Sequence, residues 1–127
     1  MNKNGKKRFV NYDLGGIETP SGMETLVKAM GNETSHLGRD YLLRVLLCTE
    51  DRACKELFTA LGGVEILQQW IKQEANVLIV SVLNALPITR EILKKTRVGV
   101  TINNIAKSTT DSKLKYEASN VVLKWRN

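Results

Sequence analysis

The chain reads as an all-α domain, a compact bundle of about seven short helices with armadillo-like helix-pair stacking. Three observations predict this. Apolar residues recur at three- and four-residue steps in one segment after another from Pro20 onward. The glycine and proline punctuation, Gly62-Gly63 and Pro87 among it, falls between helices. No alternating strand pattern competes. No strict repeat of fixed period is present, which argues against a true solenoid.

Residues 1–18, rich in Asn, Lys and Gly, read as a flexible basic lead-in, and 19–127 as the bundle. Ser21 followed by Glu24 forms a capping-box pattern, so the first helix is expected to start there and to stop near Gly31. A second fits Ser35 to about Thr49, with Leu37, Tyr41, Leu42, Val45 and Leu46 inward. A third spans Asp51 to Leu61, with Ala53, Leu57, Ala60 and Leu61 on one side, and Gly62-Gly63 breaks it. The fourth, Val64 to about Gln73, turns Val64, Leu67, Trp70 and Ile71 inward.

The fifth, Ala75 to Leu86, is apolar nearly all round. A helix of that kind belongs at the centre of a bundle. Its β-branched content also permits a strand, but the helical spacing through to Leu86 and the helical neighbours favour helix, and Pro87 ends it. Thr89 caps a short helix through Lys95. Another runs from Val98 to about Ser108, with Val98, Ile102, Ile105 and Ala106 on one face. Asp111 begins the last, whose stripe of Leu114, Ala118, Val121, Val122 and Trp125 packs inward.

The 127 residues carry a formal net charge of +6, and it is segregated. Lys3, Lys6, Lys7 and Arg8 face no acid within residues 1–12. The middle, 13–89, holds six basic and ten acidic residues, whereas 90–127 holds nine basic and three acidic ones. A basic third of that kind is either a solvated face or an electrostatic guide for an acidic peptide or nucleic acid.

The catalytic inventory is thin, and no enzyme is expected. There is no G-x-x-x-x-G-K-S/T and no G-x-G-x-x-G phosphate loop. Cys48 and Cys54 lack the spacing and companions of a zinc site and read as small core residues. One histidine, His36, excludes any site needing two. Adjacent Glu50 and Asp51 suit a helix start better than an acid/base pair. Asn32-Glu33-Thr34 matches a glycosylation sequon, which matters only in a secreted protein. No cofactor, metal or membrane partner is expected: the apolar run Val77–Leu86 is about half of what spans a bilayer. The expected state is a monomer. Lys6, Lys7 and Arg8 offer a weak contact for nucleic acid or part of a nuclear import signal.

One stretch carries a family resemblance. Leu86-Pro87-Ile88-Thr89, then Leu93, then Val98-Gly99-Val100-Thr101-Ile102-Asn103 resembles the N-terminal helical domain of transcription elongation factor S-II. The closing run Glu117 to Trp125 resembles that family's last helix, which ends in a Lys-Trp pair. Val100 stands where the family usually has lysine. The Gly62-Gly63-Val64 turn leading to Trp70 is similar to longer members, among them a nuclear targeting subunit of protein phosphatase one and a region of some SET-domain histone methyltransferases.

The resemblance spans about residues 37–127. It implies a nuclear, non-catalytic scaffold of RNA polymerase II elongation and chromatin. Such a scaffold docks short acidic-hydrophobic disordered motifs of partner factors over two inter-helix loops. Placed on this chain, the loops fall at 73–76 and 107–111, which makes Gln73, Asn76, Lys107, Ser108, Thr109, Thr110 and Lys113 the implied peptide-binding residues, with Lys115 on the basic rim. The competing implications are a regulatory or structural part of a larger chromatin enzyme, and a basic nucleic-acid-binding domain. The last helix, running to the chain's end, reads as that of a fragment.

Overall fold

The structure, a computed structural model, describes residues 16–126. Among them are eight helices and no strand: α1 (Pro20–Asn32), α2 (His36–Cys48), α3 (Arg52–Ala60), α4 (Gly63–Gln73), α5 (Val77–Ala85), α6 (Arg90–Thr96), α7 (Val98–Ser108) and α8 (Ser112–Arg126). The all-helical class is therefore shown, and the ambiguous fifth segment is a helix.

Short polar side chains set most of the boundaries. Ser35 Oγ accepts from Gly38 N at 3.0 Å, Asp51 Oδ1 from Ala53 N at 3.1 Å and Thr89 Oγ1 from Ile92 N at 3.2 Å. Each satisfies a backbone donor that a helix start leaves without a partner. The first helix begins earlier than the capping-box reading placed it. Thr19 is its cap, accepting from Gly22 N at 3.0 Å, and Pro20 fills the first turn. Proline is favoured there because its missing N–H would have no helical acceptor anyway. Gly31 does not end the helix, which continues to Asn32.

α5 lies at the centre, packed by α2, α4 and α8. Its Ile79, Val80, Val82 and Leu83 are buried, and Leu86 just beyond it is too. α4 contributes Val64, Leu67, Trp70 and Ile71, as its periodicity predicts, and the Arg39 guanidinium lies over the Trp70 ring at 4.7 Å. α7 buries Val98, Ile102 and Ala106, and α8 buries Leu114, Ala118 and Val121. The end of the lead-in is tied down: buried Thr49 Oγ1 accepts from Ile17 N at 3.0 Å, and Ile17 packs against the core.

Two inward faces differ from expectation. Leu37, in the first turn of α2, is 84% exposed. α3 buries Cys54 and Phe58, while Ala53, Ala60 and Leu61 face outward. Phe58 wins because a phenylalanine removes far more apolar surface from water than an alanine.

The α3–α4 joint makes room for that ring. Gly62 adopts φ 90°, the left-handed region that favours glycine. A Cβ on Gly63 would sit 2.3 Å from Phe58 Cζ. At the α6–α7 joint Arg97 takes φ 61°. Thr96 stitches it, donating to Ile92 O at 2.8 Å and accepting from Val98 N at 3.2 Å.

Two glycines should respond oppositely to alanine. Gly63→Ala is expected to destabilise by about 1–3 kcal/mol through overpacking on Phe58. Gly31→Ala, in an exposed helical position with no atom within 4 Å of its added Cβ, should stabilise by about 0.5–1 kcal/mol. Denaturant melts of the two variants check both signs.

Candidate functional site

The first implied loop joins α4 to α5, and most of its polar atoms already hold the fold. Gln73 Oε1 accepts from an Arg39 guanidinium N–H at 3.0 Å. Asn76 caps α5, its Oδ1 accepting from Leu78 N at 2.7 Å. His36 Nδ1 lies 3.1 Å from Glu74 Oε1 in an exposed pair. Beside them is a shallow cleft of about 20 Å³ walled by Asp40, Leu43, Trp70 and Ile79, with Asn76 but not Gln73 on its lining.

The second loop joins α7 to α8. Ser108 Oγ donates to Asn104 O at 2.8 Å, Thr109 Oγ1 accepts from Asp111 N at 3.1 Å, and Asp111 Oδ1 accepts from Leu114 N at 3.0 Å. Lys115 Nζ donates to Ala106 O at 2.7 Å, closing the end of α7. Lys107, Thr110 and Lys113 are exposed. Lys107 and Lys115 rim a groove of about 470 Å³ between α7 and α8, floored by Ala106, Val122 and Leu123. Leu123 is 57% exposed, an uncovered apolar side chain beside lysines. Lys6, Lys7 and Arg8 lie outside the described residues.

Sequence reasoning missed two further hollows, one adjoining that groove and the second adjoining the first of these. One, of about 390 Å³, lies among α6, α7 and α8 and shares Asn103, Val122 and Arg126 with the groove. The other, of about 620 Å³, lies where the Leu86-Pro87-Ile88 connection passes the end of α8 and the start of α3. Leu93 and Trp125 line both. The one available signal was Trp125 as the terminal member of the α8 stripe. It is only half-buried, where the stripe implied a committed core residue.

No catalytic set emerges at either place. Among the described residues no group of three or more His, Cys, Asp or Glu is placed to hold a metal ion, and no helix is long and apolar enough to cross a membrane. Burial pushes the Cys54 thiol above its ordinary pKa, with the neighbouring Asp51 carboxylate adding to the shift. That keeps it protonated and a poor nucleophile. Cys48 is half-buried.

The groove residues from α7 and α8 fall inside the stretch that comparison with known families picks out. Residues 78–127 match the Med26 family model, a TFIIS helical bundle-like domain. This helical bundle-like segment comprises nearly all of α5 and all of α6, α7 and α8. Across 95% of its length the chain is also similar to serine/threonine-protein phosphatase 1 regulatory subunit 10 of Sus scrofa, at 27% identity over 128 residues. The Pan troglodytes protein of the same name gives the same identity and coverage. The chain spans 14% of the length of these relatives.

Two measurements check this geometry. Trp125→Ala should cost about 2 kcal/mol, below the 3–5 kcal/mol of a fully enclosed tryptophan, because part of the ring already meets water; a denaturant melt reads it. Near the first loop, Glu33 Oε2 accepts from the Ser35 N–H at 3.1 Å and from its hydroxyl at 2.9 Å. The Ser35 backbone N–H, then its hydroxyl, hold the carboxyl below the ordinary glutamate range. A depressed folded-state pKa contributes stability that is present above the unfolded value and lost as pH falls through the folded one. The Ser35 amide resonance should therefore titrate with a midpoint below that of a free glutamate, and Glu33→Gln should abolish the transition.

Proposed function

We propose that the chain is a non-catalytic protein-interaction module that docks short, disordered, acidic-hydrophobic segments of transcription elongation or chromatin factors in the nucleus. The observation that carries this reading is the α7–α8 groove. It combines an apolar floor of Ala106, Val122 and Leu123 with Lys107, Lys115 and Arg126, and no carboxylate lines it. A disordered segment can insert one apolar side chain into such a groove while lysines attract its acidic flanks. Ordering the segment costs free energy, so modest affinity and fast exchange are expected.

The TFIIS helical bundle-like match supports an interaction domain. So do the relatives, whose name is that of a regulatory subunit of a phosphatase. In this reading Lys107, Ser108, Thr109, Thr110 and Lys113 form one side of the docking surface, and Gln73 and Asn76 belong to it through the first loop.

A titration with acidic, phenylalanine-containing peptides from elongation factors, followed by amide chemical shifts, tests the assignment. Shifts should concentrate at residues 107–115, and Lys107→Glu combined with Lys115→Glu should weaken binding about tenfold. A broad peptide panel that leaves both loops unshifted would sink it.

A further inference from the structure

The hollow beside the Leu86-Pro87-Ile88 connection shares no lining residue with the α7–α8 groove. Its volume of about 620 Å³ falls within the roughly 300–1,000 Å³ of ordinary ligand sites. Four cations stand on its lining, drawn from three helices: Arg52 and Lys55 from α3, Arg90 from α6 and Lys124 from α8. Glu50 is the one carboxylate among the lining residues.

Little of that positive charge is compensated inside the fold. Lys55 and Arg90 pair with no carboxylate among the described residues. Arg52 Nε lies 3.2 Å from Glu56 Oε2, in a pair exposed on both sides and therefore weak. Lys124 Nζ donates to Asn84 O and, at 3.2 Å, to Asn84 Oδ1, neutral acceptors that leave its charge in place. Like charges gathered around one concavity raise the potential there, and an anion relieves it. The same concavity holds an aromatic, because the half-buried Trp125 is on its lining.

We propose that this hollow binds single-stranded nucleic acid, with phosphates on Arg52, Lys55, Arg90 and Lys124 and one unstacked base against the Trp125 ring. The site is separate from the peptide groove, and neither depends on the other. Two features select the occupant. The first is charge: the repeating phosphates of a strand match cations set around a rim, and the guanidinium forks of Arg52 and Arg90 fit phosphate oxygens two at a time. The second is that the protein itself supplies the aromatic. Every base offers a π-face that stacks on such a ring whatever the sequence. A duplex keeps its bases stacked inside and cannot lay one in a concavity. A segment of glutamates and aspartates would meet the cations but has no ring to place on the indole. Glu50, an acceptor only, repels phosphate and suits the amino or imino N–H of a base.

The test is an anisotropy titration of the 127-residue chain with a short labelled oligouridine, begun at low salt. If all four cations engage phosphates, log K should fall against log[salt] with a slope of about −3. Arg52→Gln with Arg90→Gln, two exposed positions, should weaken binding about tenfold and bring the slope to about −1.4, with an unchanged melt. Trp125→Leu should weaken binding about tenfold, and Trp125→Phe, which keeps a ring, should retain most of it. The indole N–H resonance of Trp125 should shift on binding. That of Trp70, 4% exposed and absent from this lining, should stay in place.

No binding at low salt would overturn the proposal, as would a Trp125 indole that stays fixed while the strand binds. A double arginine variant that binds as well as the parent would place the strand elsewhere on the chain and overturn the site. In direct competition, a glutamate-rich peptide or duplex DNA that displaces the strand at lower concentration would overturn the choice of occupant.

Discussion

α5 has almost no face that it can present to water. Ile79, Val80, Val82 and Leu83 are buried around a nine-residue helix, with Val77 and Leu78 half-buried at its start. Each full burial of such a side chain is worth about 1.5–3 kcal/mol, and exposure of any would forfeit that stabilisation. The element must therefore be enclosed, which α2, α4 and α8 accomplish. The last helix meets that demand with part of its stripe. The N-terminal part of its stripe, Leu114, Ala118 and Val121, is spent on the interior. Val122 and Trp125, toward its end, are only half covered.

Periodicity was most legible where a helix has one dominant face. α4, α7 and most of α8 bury the residues that their spacing selects, because large aliphatic side chains on one stripe leave no competing arrangement. It misled where small residues diluted the signal. On α3, Ala53, Ala60 and Leu61 outline a stripe, yet Phe58 and Cys54 occupy the interior. The reason lies in Gly63, five residues beyond Phe58, which alone leaves space for the ring. Leu37 follows the α2 pattern but sits in the first turn, where no facing element covers it.

The candidate surface was less legible than the fold. Loops 73–76 and 107–111 were located as connections, but the side-chain oxygens of Gln73, Asn76, Ser108 and Thr109 all take part in hydrogen bonds that hold local structure. The hollow beside the Leu86-Pro87-Ile88 connection draws on the start of α3, that connection, α6 and the end of α8, with Glu50 and Trp125, 75 positions apart in sequence, both on its lining. No local spacing encodes that meeting. A half-buried tryptophan also has the same place in a stripe as a fully buried one, so its open edge is visible only in three dimensions.

The segregated charge acquires a position through that geometry. Of the nine basic residues in 90–127, Arg90, Lys94, Lys107, Lys115, Lys124 and Arg126 line the three connected hollows. Lys95 is instead paired with Glu65 at 3.3 Å. In the acidic middle, Glu33, Glu56 and Glu74 each bind a neighbouring donor. Several carboxylates are thus committed to local structure, while six of the cations are gathered around concave apolar surface. A field arranged in this way accelerates the encounter of an acidic chain more than it tightens the final complex, because exposed charges are screened within about 8 Å at physiological salt. Under the proposed docking, retention would then rest on apolar contact with the floor of the α7–α8 groove. The two contributions would be separable in kind: salt would act chiefly on association, and truncation of the apolar floor chiefly on dissociation.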